Sequence, residues 1–211
     1  MNPTKDEWKK ALEERHGKEL QQAFSSATVA ICGLGGLGSN IAIDLARAGI
    51  GKLILIDFDR VDITNLHRQQ YKADQIGRYK TEALADNLRE IAPYIEFEIH
   101  TDHITEDNAV TLLQGVDIIC EAFDNAEAKA MLTDIVLSEL PDKYLVAASG
   151  MAGMGVTNSI RTRRITSRFY LCGDETSEVS DGIGLVAPRV ALCAAHEAHT
   201  ALRILAKQFE V

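Results

Sequence analysis

The segment TVAICGLGGLG, residues 28–38, runs a short apolar block directly into Gly33, Gly35, Gly36 and Gly38. A buried strand that ends in such a loop, followed by the small-residue-rich stretch 39–48, leaves few folds open. The first glycine permits a tight turn, the second lets backbone approach a phosphate, and the third lets helix pack on strand. The N-terminus of the following helix offers unpaired N–H groups and a partial positive charge to an anion. The spacing predicts a nucleotide-binding strand–loop–helix unit. A loop kept for packing alone is the plainer alternative.

The rest of the chain alternates. Residues 53–56, 95–100, 117–121 and 144–148 read as strands, and 78–91, 106–113 and 126–140 as helices. This order predicts an α/β fold, a Rossmann-like doubly wound and mostly parallel sheet. Runs 155–160 and 165–170 have no long helix between them and are expected to pair antiparallel, extending the sheet at one end. Residues 172–184 are polar and glycine-rich, which predicts an exposed loop, and 186–205 form a closing apolar helix. Before the first strand, Trp8, Leu12, Leu20 and Phe24 recur at helical spacing, so residues 5–25 are expected to form a helical arm. With no repeat or linker, one nucleotide-binding domain spanning 1–211 is expected.

A formal net charge of −9 disfavours non-specific adhesion to nucleic-acid phosphates or anionic lipid, though not a local basic pocket. The first residues lack the apolar core of a signal peptide, and no apolar run reaches membrane-spanning length. Four scattered cysteines suit a reducing compartment, and a cytoplasmic location is expected.

Residues beyond the glycine loop discriminate between ligands. Asp57 ends the second strand, where it can accept hydrogen bonds from ribose hydroxyls; ATP and NAD both offer these. Asp59, Asn65, Arg68, Gln69, Arg78 and Lys80 then crowd into a short stretch. A hydride carrier needs little beyond a cradle for pyrophosphate and a grip on ribose. A nucleotide cleaved at phosphate needs cations and amides around the developing charge. The cluster therefore points to ATP as a substrate. Singly, Arg68 and Lys80 read as solvated surface residues, and Asp59 and Asp62 as turn formers. Arg78 stands between a substrate contact and a solvated helix start.

The segment IDFDRVDITNLHRQQY, with GLGGLG, RAGIGK, the strand-end Asp124-Asn125 and the late GLVAPRV, resembles the ThiF/MoeB/HesA family of ubiquitin-activating-enzyme-like adenylyltransferases. The resemblance implies that Asp57 holds ribose and that Asn65, Arg68 and Gln69 surround the triphosphate. It further implies that Lys80 steadies the departing phosphates and that Asp124 holds Mg²⁺, with Asn125 kept as a helix cap. It implies a homodimer that lends an arginine across to the partner's site; here Arg15 and Lys18 are the alternatives. The compact form and the sequence around the loop look most like a ThiF subtype, which implies the ubiquitin-like sulfur carrier ThiS, ending in Gly-Gly, as partner in thiamine biosynthesis. Molybdopterin-type carriers, or a carboxylate on a modified tRNA or small molecule, would use the same nucleotide residues. A basic run, Arg161, Arg163, Arg164 and Arg168, keeps the tRNA reading open. An NAD-dependent oxidoreductase is a more distant alternative.

Two further expectations concern sulfur. Paired cysteines that bind structural zinc in many relatives are missing, so no zinc is expected. Cys172 stands beside Gly173 in the expected loop, where a thiolate could link covalently to an activated carrier, although no base is evident nearby.

Overall fold

The computed structural model describes residues 3–179 and 182–211. Ser180 and Asp181, within the loop expected at 172–184, lie outside the described residues.

The central expected strands form because their residues are almost uniformly apolar and can be buried on both faces, while 96–100 alternates polar and apolar residues as suits a half-exposed edge. β1 (Thr28–Cys32), β2 (Lys52–Ile56), β3 (Glu96–His100), β4 (Ile118–Glu121) and β5 (Tyr144–Ala148) are joined by β6 (Arg161–Arg164) and β7 (Phe169–Gly173) in one sheet ordered β3-β2-β1-β4-β5-β7-β6. All neighbours run parallel except β6, which pairs antiparallel with β7. Alternation sorts each strand's residues between two layers. Val29, Ile31, Leu53, Leu55, Ile118 and Cys120 face a core shared with α3 (Gly36–Ala48), α4 (Lys80–Ile91) and α7 (Ala187–Leu205). Ala30, Cys32, Ile54, Ile56 and Ile119 face α5 (Ala109–Leu113) and α6 (Ala126–Glu139). Chain order reverses between β1 and β4, and the crevice beyond their carboxyl ends is where such sheets bind ligands.

Boundaries move most at four places. The helix expected at 106–113 begins only at Ala109. The helix after the glycine loop begins at Gly36, inside the loop itself. The 155–160 run is no strand: a short 3₁₀ turn covers Thr157–Ser159, and the edge strand is the charged Arg161–Arg164. The 165–170 run is displaced too, because Phe169–Gly173 pairs parallel with β5 and so carries Cys172 into the sheet.

The N-terminal arm is two helices, α1 (Lys5–His16) and α2 (Lys18–Ser26), meeting at Gly17. A Thr4–Glu7 capping box starts α1, satisfying two otherwise unpaired donors. Gln21 Nε2 donates to the Gly49 carbonyl at 3.1 Å, anchoring the arm at the end of α3 remote from the glycine loop.

Candidate functional site

The glycine loop is fixed before any ligand arrives. Gly33 has φ of +92°, a left-handed value that glycine adopts without strain, and a Cβ there would meet the Ala122 carbonyl oxygen at 2.8 Å. A Cβ on Gly38 would lie 1.8 Å from the Gly33 carbonyl oxygen, so the first turn of α3 can close on the loop only with no side chain at position 38. Leu34 between them is gripped at both backbone ends. Its N–H donates to Asp57 Oδ2 at 2.6 Å, and its carbonyl accepts from the buried Tyr71 hydroxyl at 2.7 Å. Gly35 provides no side-chain cap, so the first N–H groups of α3 stay available to an anion.

Asp57 also accepts from the Asp59 N–H at 2.7 Å and lies 3.8 Å from Lys80 Nζ. Burial pushes its carboxyl above the usual range, while Lys80 and the two backbone donors pull it down. Lys80, at the start of α4, is itself only 5% exposed, and its ammonium donates to Asp59 Oδ2 at 2.7 Å. Asp59 thus answers the lysine as well as turning the chain. Arg68 and Gln69 follow a 3₁₀ turn at Ile63–Asn65, capped by the Asp62 side chain. Among the described residues the Arg68 side chain makes only long polar contacts, 3.3 Å from Nη1 to the Thr64 carbonyl and 3.3 Å to His67 Nε2. Its Nε and the Gln69 Oε1 are buried without partners; among the described residues the only other such atoms are the two carboxyl oxygens of Glu197. Buried polar atoms left without partners are rare in folded proteins, and these two await a ligand or water.

A cavity of about 970 Å³ joins these residues to a second wall. Gly33, Gly35, Gly36, Asp57, Asp59, Asn65, Arg68, Gln69, Lys80 and Asp124 all line it, whereas Gly38 does not and is packed against the Gly33 carbonyl instead. Asp124 is exposed at the mouth of the turn after β4, with no hydrogen bond or ion pair among the described residues. Asn125 caps α6 by accepting from the Ala128 N–H at 2.9 Å.

Sequence reasoning missed three lining residues. Phe58 and His103 stack with their planes 23° apart, joining the ends of β2 and β3. Lys129 is held by the buried Glu121, at 3.0 and 3.1 Å, and by the Ala148 carbonyl at 3.1 Å. Only the Asp-Asn cap upstream could have hinted that Lys129 faces the site, one helical turn further on.

Other expectations are corrected. Cys172 is not in an exposed loop: it is fully buried on β7, 3.5 Å from the Thr162 hydroxyl, and burial and the nearby Glu197 raise its thiol to about 12. Burial in the sheet and a raised thiol both disfavour the accessible thiolate that a covalent link would need. The native thiol is expected to resist iodoacetamide at pH 8 and Cys172→Ala to leave nucleotide affinity within about a factor of two; rapid native alkylation at this residue would contradict its burial. Arg78 pairs with Asp86 at 2.6 Å and is not among the lining residues, so its substrate contact is not supported. Arg15 and Lys18 are exposed on the arm, at the far end of α3 from their own cavity. The basic run on the edge is mostly engaged: Arg163 pairs with Glu175 at 2.6 Å, while Arg164 and Arg168 donate to the Ser167 and Asp142 carbonyls. Cys32, Cys120, Cys172 and Cys193 are all buried free thiols. Among the described residues no helix is long and apolar enough to cross a membrane.

A model of the ThiF family matches residues 9–211. Among curated proteins, the adenylyltransferase and sulfurtransferase MOCS3 of Caenorhabditis briggsae is 34% identical over 142 residues, covering 66% of this chain and 35% of that protein. The adenylyltransferase and sulfurtransferase uba4 of Aspergillus terreus is 38% identical over 136 residues, covering 64% of this chain and 28% of that protein. The chain therefore spans about a third of the length of the curated relatives it matches. Among solved structures, the Escherichia coli tRNA N6-threonylcarbamoyladenosine dehydratase TcdA in complex with ATP superposes with a TM-score of 0.86 at 24% identity, over 98% of both chains. That likeness is one of fold.

Proposed function

The chain belongs to the ThiF family, and from that premise we propose an ATP-dependent adenylyltransferase that activates the C-terminal glycine carboxylate of a ubiquitin-like sulfur carrier, ThiS, for thiazole formation in thiamine biosynthesis. The observation that carries this reading is the continuity of the cavity. Its lining runs from the amides, arginine and lysine around the glycine loop to Ser149, Gly150, Met151 and Val179 after β5 and β7. A nucleotide at the first end and an incoming carboxylate at the second would meet between them.

In the proposed reaction the nucleotide's ribose lies against Asp57 and its phosphates against the α3 amides, Asn65, Arg68, Gln69 and Lys80. A carboxylate oxygen attacks the α-phosphorus, the bond to the bridging oxygen breaks, and pyrophosphate leaves with that electron pair. The carboxylate is already ionised at neutral pH, so no base is needed. The chain's own contribution is alignment and positive charge at the phosphates. Mg²⁺, when bound, would neutralise phosphate charge, and the unengaged carboxylate of Asp124 fits it, since this ion is commonly held by one or two carboxylates plus substrate phosphates. In the same reading the protein works as a homodimer, with Arg15 or Lys18 serving the partner's site.

A carboxylate on tRNA is a second acceptor supported by the whole-length fold likeness to TcdA. The surroundings of the second end favour a protein instead. Val179 lines the cavity and is exposed, and Met154, Val156 and Ile183 are exposed apolar side chains in the neighbouring segments of the chain, surface that a protein acceptor would cover and a polyanion would not. Pyrophosphate–ATP exchange decides: it is expected to depend on a ThiS-like carrier ending in Gly-Gly and to be absent with tRNA. Exchange driven by tRNA alone would reassign the acceptor, and tight NAD(H) binding without ATP turnover would sink adenylation.

A further inference from the structure

We propose that Arg189 is a positioning residue that fixes the acceptor end of the cavity by clamping together the two loops that form it. The inference rests on the carboxylate-activating reading above and adds to it the group that holds the acceptor end in shape.

Arg189 lies in the first turn of α7, and its side chain is 7% exposed. A cation there opposes the helix dipole as well as losing water, so the sequence needs a counterweight to keep it. The structure supplies a full set. Nε donates to the Ala152 carbonyl at 3.1 Å, and Nη1 to the carbonyls of Gly155 at 3.2 Å and Val156 at 3.4 Å. Nη2 donates to Ser159 Oγ at 3.1 Å and to Asp174 Oδ2. One planar fork therefore gathers four points of the 149–160 loop and one point of the loop after β7, a geometry that lysine's single ammonium cannot copy.

Asp174 carries the clamp onward. Its Oδ1 accepts from the N–H groups of Thr176 at 2.9 Å and Ser177 at 2.8 Å, and the Ser177 hydroxyl accepts from the Ala152 N–H at 3.0 Å. The loops also interlock through Gly150, where a Cβ would meet Asp174 Oδ1 at 2.2 Å. Burial raises the Asp174 carboxyl, but the Ser177 and Thr176 donors and the Arg189 guanidinium outweigh it, bringing it down to about 2. A carboxylate depressed in this way stabilises the fold fully above its unfolded value of 3.8 and stops doing so as pH falls through about 2, so the clamp stays charged at every neutral pH. The segments it ties, 149–152 and 177–179, line the cavity opposite the glycine loop, and Arg189 itself does not. Its action is on the acceptor's entry rather than on the nucleotide.

The test compares Arg189→Met, Arg189→Lys and Asp174→Asn with the wild-type chain by pyrophosphate–ATP exchange, varying carrier and ATP separately, and by hydrogen exchange of peptides from 150–159 and 33–48. Arg189→Met is expected to raise KM for the carrier roughly tenfold or more while KM for ATP stays within about twofold. Arg189→Lys should fall between it and the wild type, and Asp174→Asn should share the carrier effect. Amide exchange in 150–159 should speed up about tenfold with 33–48 unchanged. A parallel rise in both KM values, or unchanged exchange in 150–159, would overturn the clamp. Should Arg189→Met fail to fold, the lysine and asparagine variants give the same comparison. A wild-type chain without carrier-dependent exchange would refute the acceptor reading alone, and the hydrogen-exchange result would still decide the clamp.

Discussion

Lys80→Met is expected to lower carrier-dependent pyrophosphate exchange by about three orders of magnitude, the upper range for removing one charge-stabilising donor from an acyl- or phosphoryl-transfer site. Methionine keeps most of the side chain's volume, so the loss would come from charge and not from a void. Stability falls as well. Without the ammonium, the buried Asp57 keeps its two backbone donors but loses the cation beside it, with Asp59 adjacent. Breaking such a buried pair costs about 3–5 kcal/mol. The pH dependence has a definite sign. Asp57 already titrates above the usual value of 3.8 in the fold, and removing Lys80 moves it further up. The folded state then binds the proton more tightly than the unfolded chain, so stability contributed by this group declines as pH rises through the window above 3.8. The Tm deficit of Lys80→Met should accordingly be smaller at pH 5 than at pH 7.5. A variant that kept full exchange activity would remove Lys80 from the proposed mechanism.

Arg68→Ala is the second large effect and should separate cleanly from stability. Among the described residues the guanidinium makes only contacts of 3.3 Å, and its Nε has no partner. Little folding energy is tied to the head group, so Tm should move by no more than about 2 °C, within the usual span for such a substitution. Exchange activity should nevertheless drop about 10²–10³-fold, because unengaged donors are those left to meet the phosphates. Arg68→Lys restores the charge without the fork and should recover only part of the loss. If the alanine variant unfolded while the lysine variant behaved as wild type in exchange, Arg68 would be a packing residue.

The fold is readable wherever burial acts on both faces. The runs at 29–32, 53–56 and 144–148 are apolar, as central parallel strands must be, and each reappears within a residue or so of its expected bounds. Reading fails at the sheet edge. Arg161–Arg164 has only intermediate or exposed positions, so no apolar pattern marks it, and the apolar residues flanking it draw the expected strands to 155–160 and 165–170. That displacement is why Cys172 reads from sequence as part of an exposed loop. The site divides along the same line. Residues within one short stretch, from Asp57 to Lys80, announce themselves by density. Partnerships across the chain do not: Phe58 with His103 and Arg189 with Asp174 each join elements that nothing in local sequence links.

Leu34, held through both its N–H and its carbonyl, has a kinetic consequence. A phosphate cradle already in its binding geometry keeps the competent conformer near full occupancy, so apparent and intrinsic nucleotide affinity should coincide. Nucleotide association should then follow a single exponential whose rate rises linearly with concentration, without the plateau that a slow loop rearrangement imposes.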